Sequence, residues 1–292
     1  MPPLILACLA ATWIIWGSTY LAIKWALVSF PPYFQIGSRF FLAGLLLLAY
    51  SRLVRRERLP TALEWRNALF IGVLMLAAGT GGCAFAEQTI GSGIVVAFVA
   101  VVPLLVSVVN LFFGVRPRRI EVIAMVLGLA GALLLSRGTE LRASPAGLAA
   151  LTLGTIGWAA GSVLSQRRWR LAPGSTGYAS EMLCGGAFLL VLAVIRGEVP
   201  QWPPEPLALA SWFYLLTFGS LVAFSAYMVL LARAPSSLAT SYSFVNPLIG
   251  LLLGVTLAGE AIRPGEWFAV ALILSGVLLL LWQRGREPAR GA

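Results

Sequence analysis

The chain has 292 residues, 59% hydrophobic and 11% charged, with a mean hydropathy of +0.89 and a formal charge of +10. A soluble domain is usually about a quarter charged, so these few charges cannot cover a water-facing surface. Asp and His are absent and Lys24 is the one lysine, which excludes histidine triads, H-E-x-x-H zinc sites, aspartyl dyads and a Walker-B acid, so no metal or cofactor is expected.

The apolar residues come in runs of about twenty, the length that crosses a bilayer as helix. They lack the period-two alternation of a membrane barrel. In chain order the runs predict ten helices, over 4–23, 33–51, 67–86, 91–113, 120–137, 145–165, 176–195, 208–231, 237–257 and 266–283. Helix 1 has no basic flank before it and outruns a signal peptide's apolar region, so it is expected to be retained. Trp16-Gly17-Ser18 lies in helix 1 and Arg39 in helix 2. Lys24 follows Gly17-Ser18-Thr19 but precedes Trp25, so no P-loop is formed. The connection from about Ser51 to Arg66 is the longest and too short for a core of its own. Helix 3 contains Gly79, Gly81 and Gly82 and ends beside Glu87; helix 4 contains Phe98 and Pro103. Trp158 is in helix 6, Glu181 in helix 7, Tyr227 in helix 8, and Phe244, Asn246 and Pro247 in helix 9. Cys8, Cys83 and Cys184 are far apart in apolar runs and suggest neither disulfide nor metal.

Basic residues orient the helices. One set of connections has fifteen, among them Arg52, Arg55, Arg56, Arg58, Arg116, Arg167 and Arg284, and the other has five: Lys24, Arg137, Arg142, Arg196 and Arg263. Cytoplasmic loops retain the excess, so both termini are expected in the cytoplasm. The positive charge is thereby a topology signal, and no basic stripe is left for nucleic acid.

The two halves resemble each other. Pro103 and Pro247 stand 144 positions apart, Gly131 and Gly276 stand 145 apart, and Trp16 with Trp158 and Gly44 with Gly186 stand 142 apart. A duplicated five-helix unit accounts for this, with repeats expected at 1–141 and 142–292. Five is odd, so the second copy enters the membrane from the opposite side. Such inverted repeats support alternating access around a site near the bilayer midplane. The fold expected is all-α, ten transmembrane helices in two inverted five-helix repeats.

With these features the chain resembles the drug/metabolite transporter superfamily, and within it the EamA-type ten-helix exporters. The likeness rests on Trp16-Gly17-Ser18 with Lys24 after it, the helix-4 pattern ending at Pro103, Asn246-Pro247, Gly259-Glu260 and Gly265-Glu266, and it covers the whole chain. The spacing differs in one place, Arg119–Glu121 against Arg263–Glu266. The resemblance implies a secondary exporter of amino acids or other metabolites, the aromatic-amino-acid exporters being the nearest group, in the bacterial inner membrane.

Trp16 and Trp158 hold equivalent places in helices 1 and 6, where two indoles would flank one cavity and sandwich an apolar or cationic group. Ser18 and Asn246 would add polar contacts, and Phe98, Tyr227 and Phe244 are further cavity candidates. Pro103 and Pro247 free a backbone carbonyl one turn earlier, as hinge or as static kink. Gly79, Gly81 and Gly82 favour bending or close helix packing. Arg39 and Glu181 are ionisable residues inside spans, and such residues mark function by default. Inversion puts them at opposite membrane faces, each expected to gate the cavity mouth on its own side. Glu181, or Glu87 at the outer end of helix 3, is a candidate proton carrier, and an uncoupled carrier is equally consistent. Helices 5 and 10 are Leu-rich supports or a homodimer face. A cavity of this composition suits neutral or zwitterionic solutes. Lipophilic cations, sugars, and a channel or scaffold role remain as alternatives.

Overall fold

The computed structural model describes residues 2–90, 92–135, 144–258 and 264–285, and the regular elements among them are helical. Ten rods follow one another: α1 (Pro3–Ala26), α2 (Pro32–Leu53), α3 (Ala62–Ala86), α4 (Ser92–Leu111), α5 (Arg119–Leu135), α6 (Pro145–Arg167), α7 (Ser175–Ile195), α8 (Pro206–Arg233), α9 (Tyr242–Ala258) and α10 (Pro264–Gly285). Six of them, α1–α3 and α6–α8, are each long and apolar enough to cross a membrane. Gly259-Glu260, Arg263, Arg137 and Arg142 lie outside the described residues.

Local chemistry sets the rod ends. Pro3, Pro32, Pro145 and Pro206 open their helices, where a missing N–H costs nothing. The third rod starts at Ala62, earlier than the expected 67, because Thr61 and Glu64 form a capping box. The Thr61 hydroxyl accepts the Glu64 N–H, and the Glu64 carboxylate accepts the Thr61 N–H. Charges in this first turn make it read as loop, although a helix end at the membrane surface accommodates them. The ninth run is split, with a single turn at Ser236–Ala239 before α9. There the Thr240, Ser241 and Ser243 hydroxyls donate to the carbonyls of Ser236, Leu238 and Thr240 and compete with the regular ladder.

Helix pairing is nearly unchanged when the first five rods are exchanged with the last five. α2 packs on α7 and α5 on α10; α1 packs on α8 and α9, as α6 packs on α3 and α4. At the α2–α7 crossing the backbones meet through glycine. A Cβ on Gly186 would fall 2.5 Å from the Phe41 nitrogen, and one on Gly44 would fall 2.8 Å from the Leu183 nitrogen. In lipid, helices associate through such close packing, because the solvent is as apolar as the side chains. Large apolar residues such as Ile14, Leu46, Leu153, Val191 and Phe268 are correspondingly exposed.

Both α4 and α9 run on through Pro103 and Pro247. The departure from α geometry lies in α3 and α8, each of which widens into a π segment, at Val73–Gly81 and Leu215–Phe224. These segments start 142 positions apart, at equivalent places in the two halves.

Candidate functional site

The π segments matter because of what rests on them. Widened turns leave carbonyls less well satisfied within the helix and recur at functional sites. The Trp16 indole N–H, from α1, donates to the Gly219 carbonyl of the α8 π segment at 3.3 Å. The Trp158 ring, from α6, lies on Gly79 in the α3 π segment, where a Cβ would fall 2.9 Å from the ring. Each tryptophan therefore seats on the widened helix of its neighbour.

The two indoles meet edge to face, with centroids 5.6 Å apart. Tyr242 packs on Trp16 at 4.7 Å, and Tyr227 on Trp16 and Trp158 at 5.2 and 5.4 Å. Polar edges are satisfied inside the cluster: the Trp158 N–H donates to the Tyr227 oxygen at 3.2 Å, and the Ser162 and Tyr227 hydroxyls share a hydrogen bond at 2.9 Å. Such packing locks the rings, since buried tyrosine and tryptophan need polar partners for their edges.

This cluster floors a cavity of about 110 Å³. Its walls are Trp16, Thr19, Tyr20 and Ile23 of α1, Arg39 and Phe40 of α2, Gly79, Thr80 and Cys83 of α3 with Glu87 just after it, and Val99 and Val102 of α4. The second half contributes Gly154, Thr155 and Trp158 of α6, Gly219 and Phe224 of α8, and Tyr242 and Asn246 of α9. Along α1 the lining runs from Trp16 to Ile23, and along α3 from Gly79 to Glu87. The cavity thus extends from mid-helix toward the end of the bundle where α1 and α3 finish.

Of the residues expected from sequence, Trp16, Trp158, Asn246, Arg39 and Gly79 line this cavity, and Tyr227 stands behind its floor. Others lie elsewhere. Ser18 turns to the Ile15 carbonyl and the Tyr214 hydroxyl and is not a lining residue. Phe244 is fully buried against α5, where a Cβ on Gly128 would strike its ring. Phe98 is half-buried against the main core. Gly82 brings α3 against the Ala150 carbonyl of α6, a packing role. Pro103 and Pro247 follow the lining residues Val102 and Asn246 without themselves lining the cavity.

Of the two ionisable residues, Arg39 lines the cavity, 3% exposed, with its guanidinium 5.0 Å from the Phe40 centroid, and Glu181 parts from expectation. Glu181 is fully buried away from the cavity, where its backbone approaches Gly72 of α3, and neither carboxylate oxygen has a hydrogen-bond partner. Glu87, Tyr20, Tyr242 and Thr155 do line the cavity, and sequence reading did not single them out as its walls. Gly79, Cys83 and Glu87 follow one another at intervals of four, about one helical turn each, and that spacing from the glycine cluster is the available signal for Glu87.

Comparison with known proteins agrees with this architecture. The EamA-like transporter family model matches residues 1–137 and again 145–282. The chain is 39% identical over 283 residues to the uncharacterized inner membrane transporter YedA of Escherichia coli (strain K12), which covers 97% of this chain and 92% of YedA. It is 26% identical over 276 residues to protein PecM of Dickeya dadantii (strain 3937), covering 91% and 88%. A crystal structure of a protein 21% identical in sequence matches with a TM-score of 0.77 over 96% of this chain and 98% of that one, which shows a shared fold. The chain belongs to the EamA-like transporter family of the drug/metabolite transporter superfamily, and it is a multi-pass transporter of the inner membrane.

Proposed function

We propose that this transporter exports amino acids, aromatic ones included, or related small metabolites, by alternating access between halves 1–141 and 142–292 and without ATP. One observation carries the reading. Trp16 and Trp158, from equivalent places in the two halves, close one end of a single aromatic cavity by touching each other. Rocking the halves parts the indoles and opens that end, while the other end closes. Inverted repeats make the two states similar in energy, because each half then takes the place of the other. The aromatic floor gives an apolar side chain a flat contact on each face.

The test is flux into proteoliposomes containing the purified protein, with radiolabelled amino acids and with or without a pH gradient. Saturable uptake is expected, falling about three- to tenfold in Trp16→Ala and in Trp158→Ala, the loss of one aromatic contact each. Non-saturable flux would favour a channel, and no amino-acid flux would remove the substrate assignment. Dependence on the gradient would identify a proton-coupled carrier.

A further inference from the structure

We infer that Arg39 and Glu87 form a two-point charge subsite that reads the dipolar head group of an amino acid; this rests on the reading of the cavity as the transport site. Arg39 is 97% buried, given its 3% exposure, and its Nε has no hydrogen-bond partner. One terminal nitrogen lies beside Gly219 of α8, and both residues line the cavity. Glu87 is half-buried and lines the same cavity, and its carboxylate has no hydrogen-bond or ion-pair partner among the described residues. The two do not pair with each other. Lys24, exposed at the end of α1, makes no ion pair with Glu87 either.

Opposite charges held apart in one aromatic-walled space are costly to desolvate unless something pairs them. A zwitterion supplies both partners at once. Its carboxylate matches the guanidinium fork, in the bidentate geometry that distinguishes Arg from Lys. Its ammonium meets the Glu87 carboxylate. Asn246, 3% exposed with Oδ1 unpartnered, stands on the same cavity as a second acceptor for the ammonium. The rest of the molecule is then left to Trp16, Trp158 and Tyr242. A monocation satisfies Glu87 and meets Arg39 as a repelling neighbour; a monoanion does the reverse. The subsite therefore selects the dipolar form.

The experiment first finds, in wild-type proteoliposomes, which radiolabelled proteinogenic amino acids are carried. Competition follows with the methyl ester of the best one, which lacks the carboxylate charge, and with its deaminated acid, which lacks the ammonium. Both analogues are expected to compete at least about tenfold more weakly than the amino acid, since a site built for a charged group rejects a ligand without it. In Arg39→Gln the discrimination against the ester should disappear while that against the deaminated acid persists, and Glu87→Gln should show the converse. The wild-type analogue series keeps the test decisive should either variant fail to fold. Amino-acid transport with no discrimination against either analogue, or with both variants discriminating like wild type, would overturn the subsite and leave the transport reading standing. A wild-type protein that carries no amino acid would overturn both.

Discussion

Glu57 and Glu198 stand 141 positions apart and meet opposite ends of the same helix pair. Glu57, after α2, accepts the Thr176 N–H and the Ser175 and Thr176 hydroxyls at the N-terminus of α7, each at 2.9 Å. Glu198, after α7, accepts the N–H groups of Tyr33 and Phe34 at the N-terminus of α2 at 3.3 and 2.8 Å. Each carboxylate fills orphan donors at the positive end of a helix dipole. Partial burial opposes the charge on Glu57, but the hydrogen bonds from Thr176 and Ser175 outweigh it and hold the carboxyl below its ordinary value of 4.5. A depressed folded value stabilises above the unfolded value and loses that stabilisation as pH falls through the folded one. Glu57→Gln should therefore lower stability by about 1–3 kcal/mol near neutral pH, the scale of hydrogen bonds to a charged group. Melting curves in detergent between about pH 3 and 7 should show the wild-type advantage vanish at the acid end. A difference that stays constant with pH would show that Glu57 acts through packing alone.

At the scale of helices, the α2–α7 pair is set by backbone contact. Gly186→Leu would drive a side chain into the Phe41 backbone, which cannot move without the rest of α2. Overpacking costs about 1–3 kcal/mol or more when rigid backbone is the obstacle. The expected result is a lowered melting temperature in detergent, with Ala10→Leu on the exposed face of α1 near neutral. Equal effects would place the α2–α7 contact outside the protein's stability. The π segments belong to the same scale. Gly79 and Gly81 within α3 hint at an irregular helix, and Gly219 in α8 gives a fainter hint, but neither pattern distinguishes a widened turn from close packing. The widening is decided by what seats on it, namely Trp158 and Trp16.

For the whole molecule, the excess of arginine on one set of loops predicts that both termini face the cytoplasm. In a chain whose three native cysteines are replaced, Arg56→Cys in the α2–α3 loop should be labelled from the cytoplasmic side alone. Trp202→Cys in the α7–α8 loop, 84% exposed, should be labelled from the opposite side. The cavity, extending toward the end of the bundle where α1 and α3 finish, then faces outward. The reverse labelling would turn the molecule over and make the same cavity inward-facing. The α5–α10 pair is packed on itself, a Cβ on Gly131 meeting the Ala269 carbonyl and one on Gly276 the Ala124 carbonyl. A homodimer through these two helices would have to use their outer surfaces, because their facing sides are taken by each other.

The ten rods and their order were legible in the chain because a bilayer leaves backbone groups no partner but their own helix, so each run of about twenty apolar residues declares itself locally. Charge between runs is equally local. The equivalence of Trp16 and Trp158 was legible as spacing, and so was their nearness once the halves are related by inversion. What the sequence could not decide was how far each rod is rotated about its axis. One residue along a helix turns a side chain by about 100°, and in lipid the outer face is as apolar as the core, so hydropathy does not say which face turns inward. Tertiary packing made that choice: it brought Arg39, Glu87, Tyr20 and Tyr242 to one cavity and turned Ser18, Phe244 and Glu181 away from it.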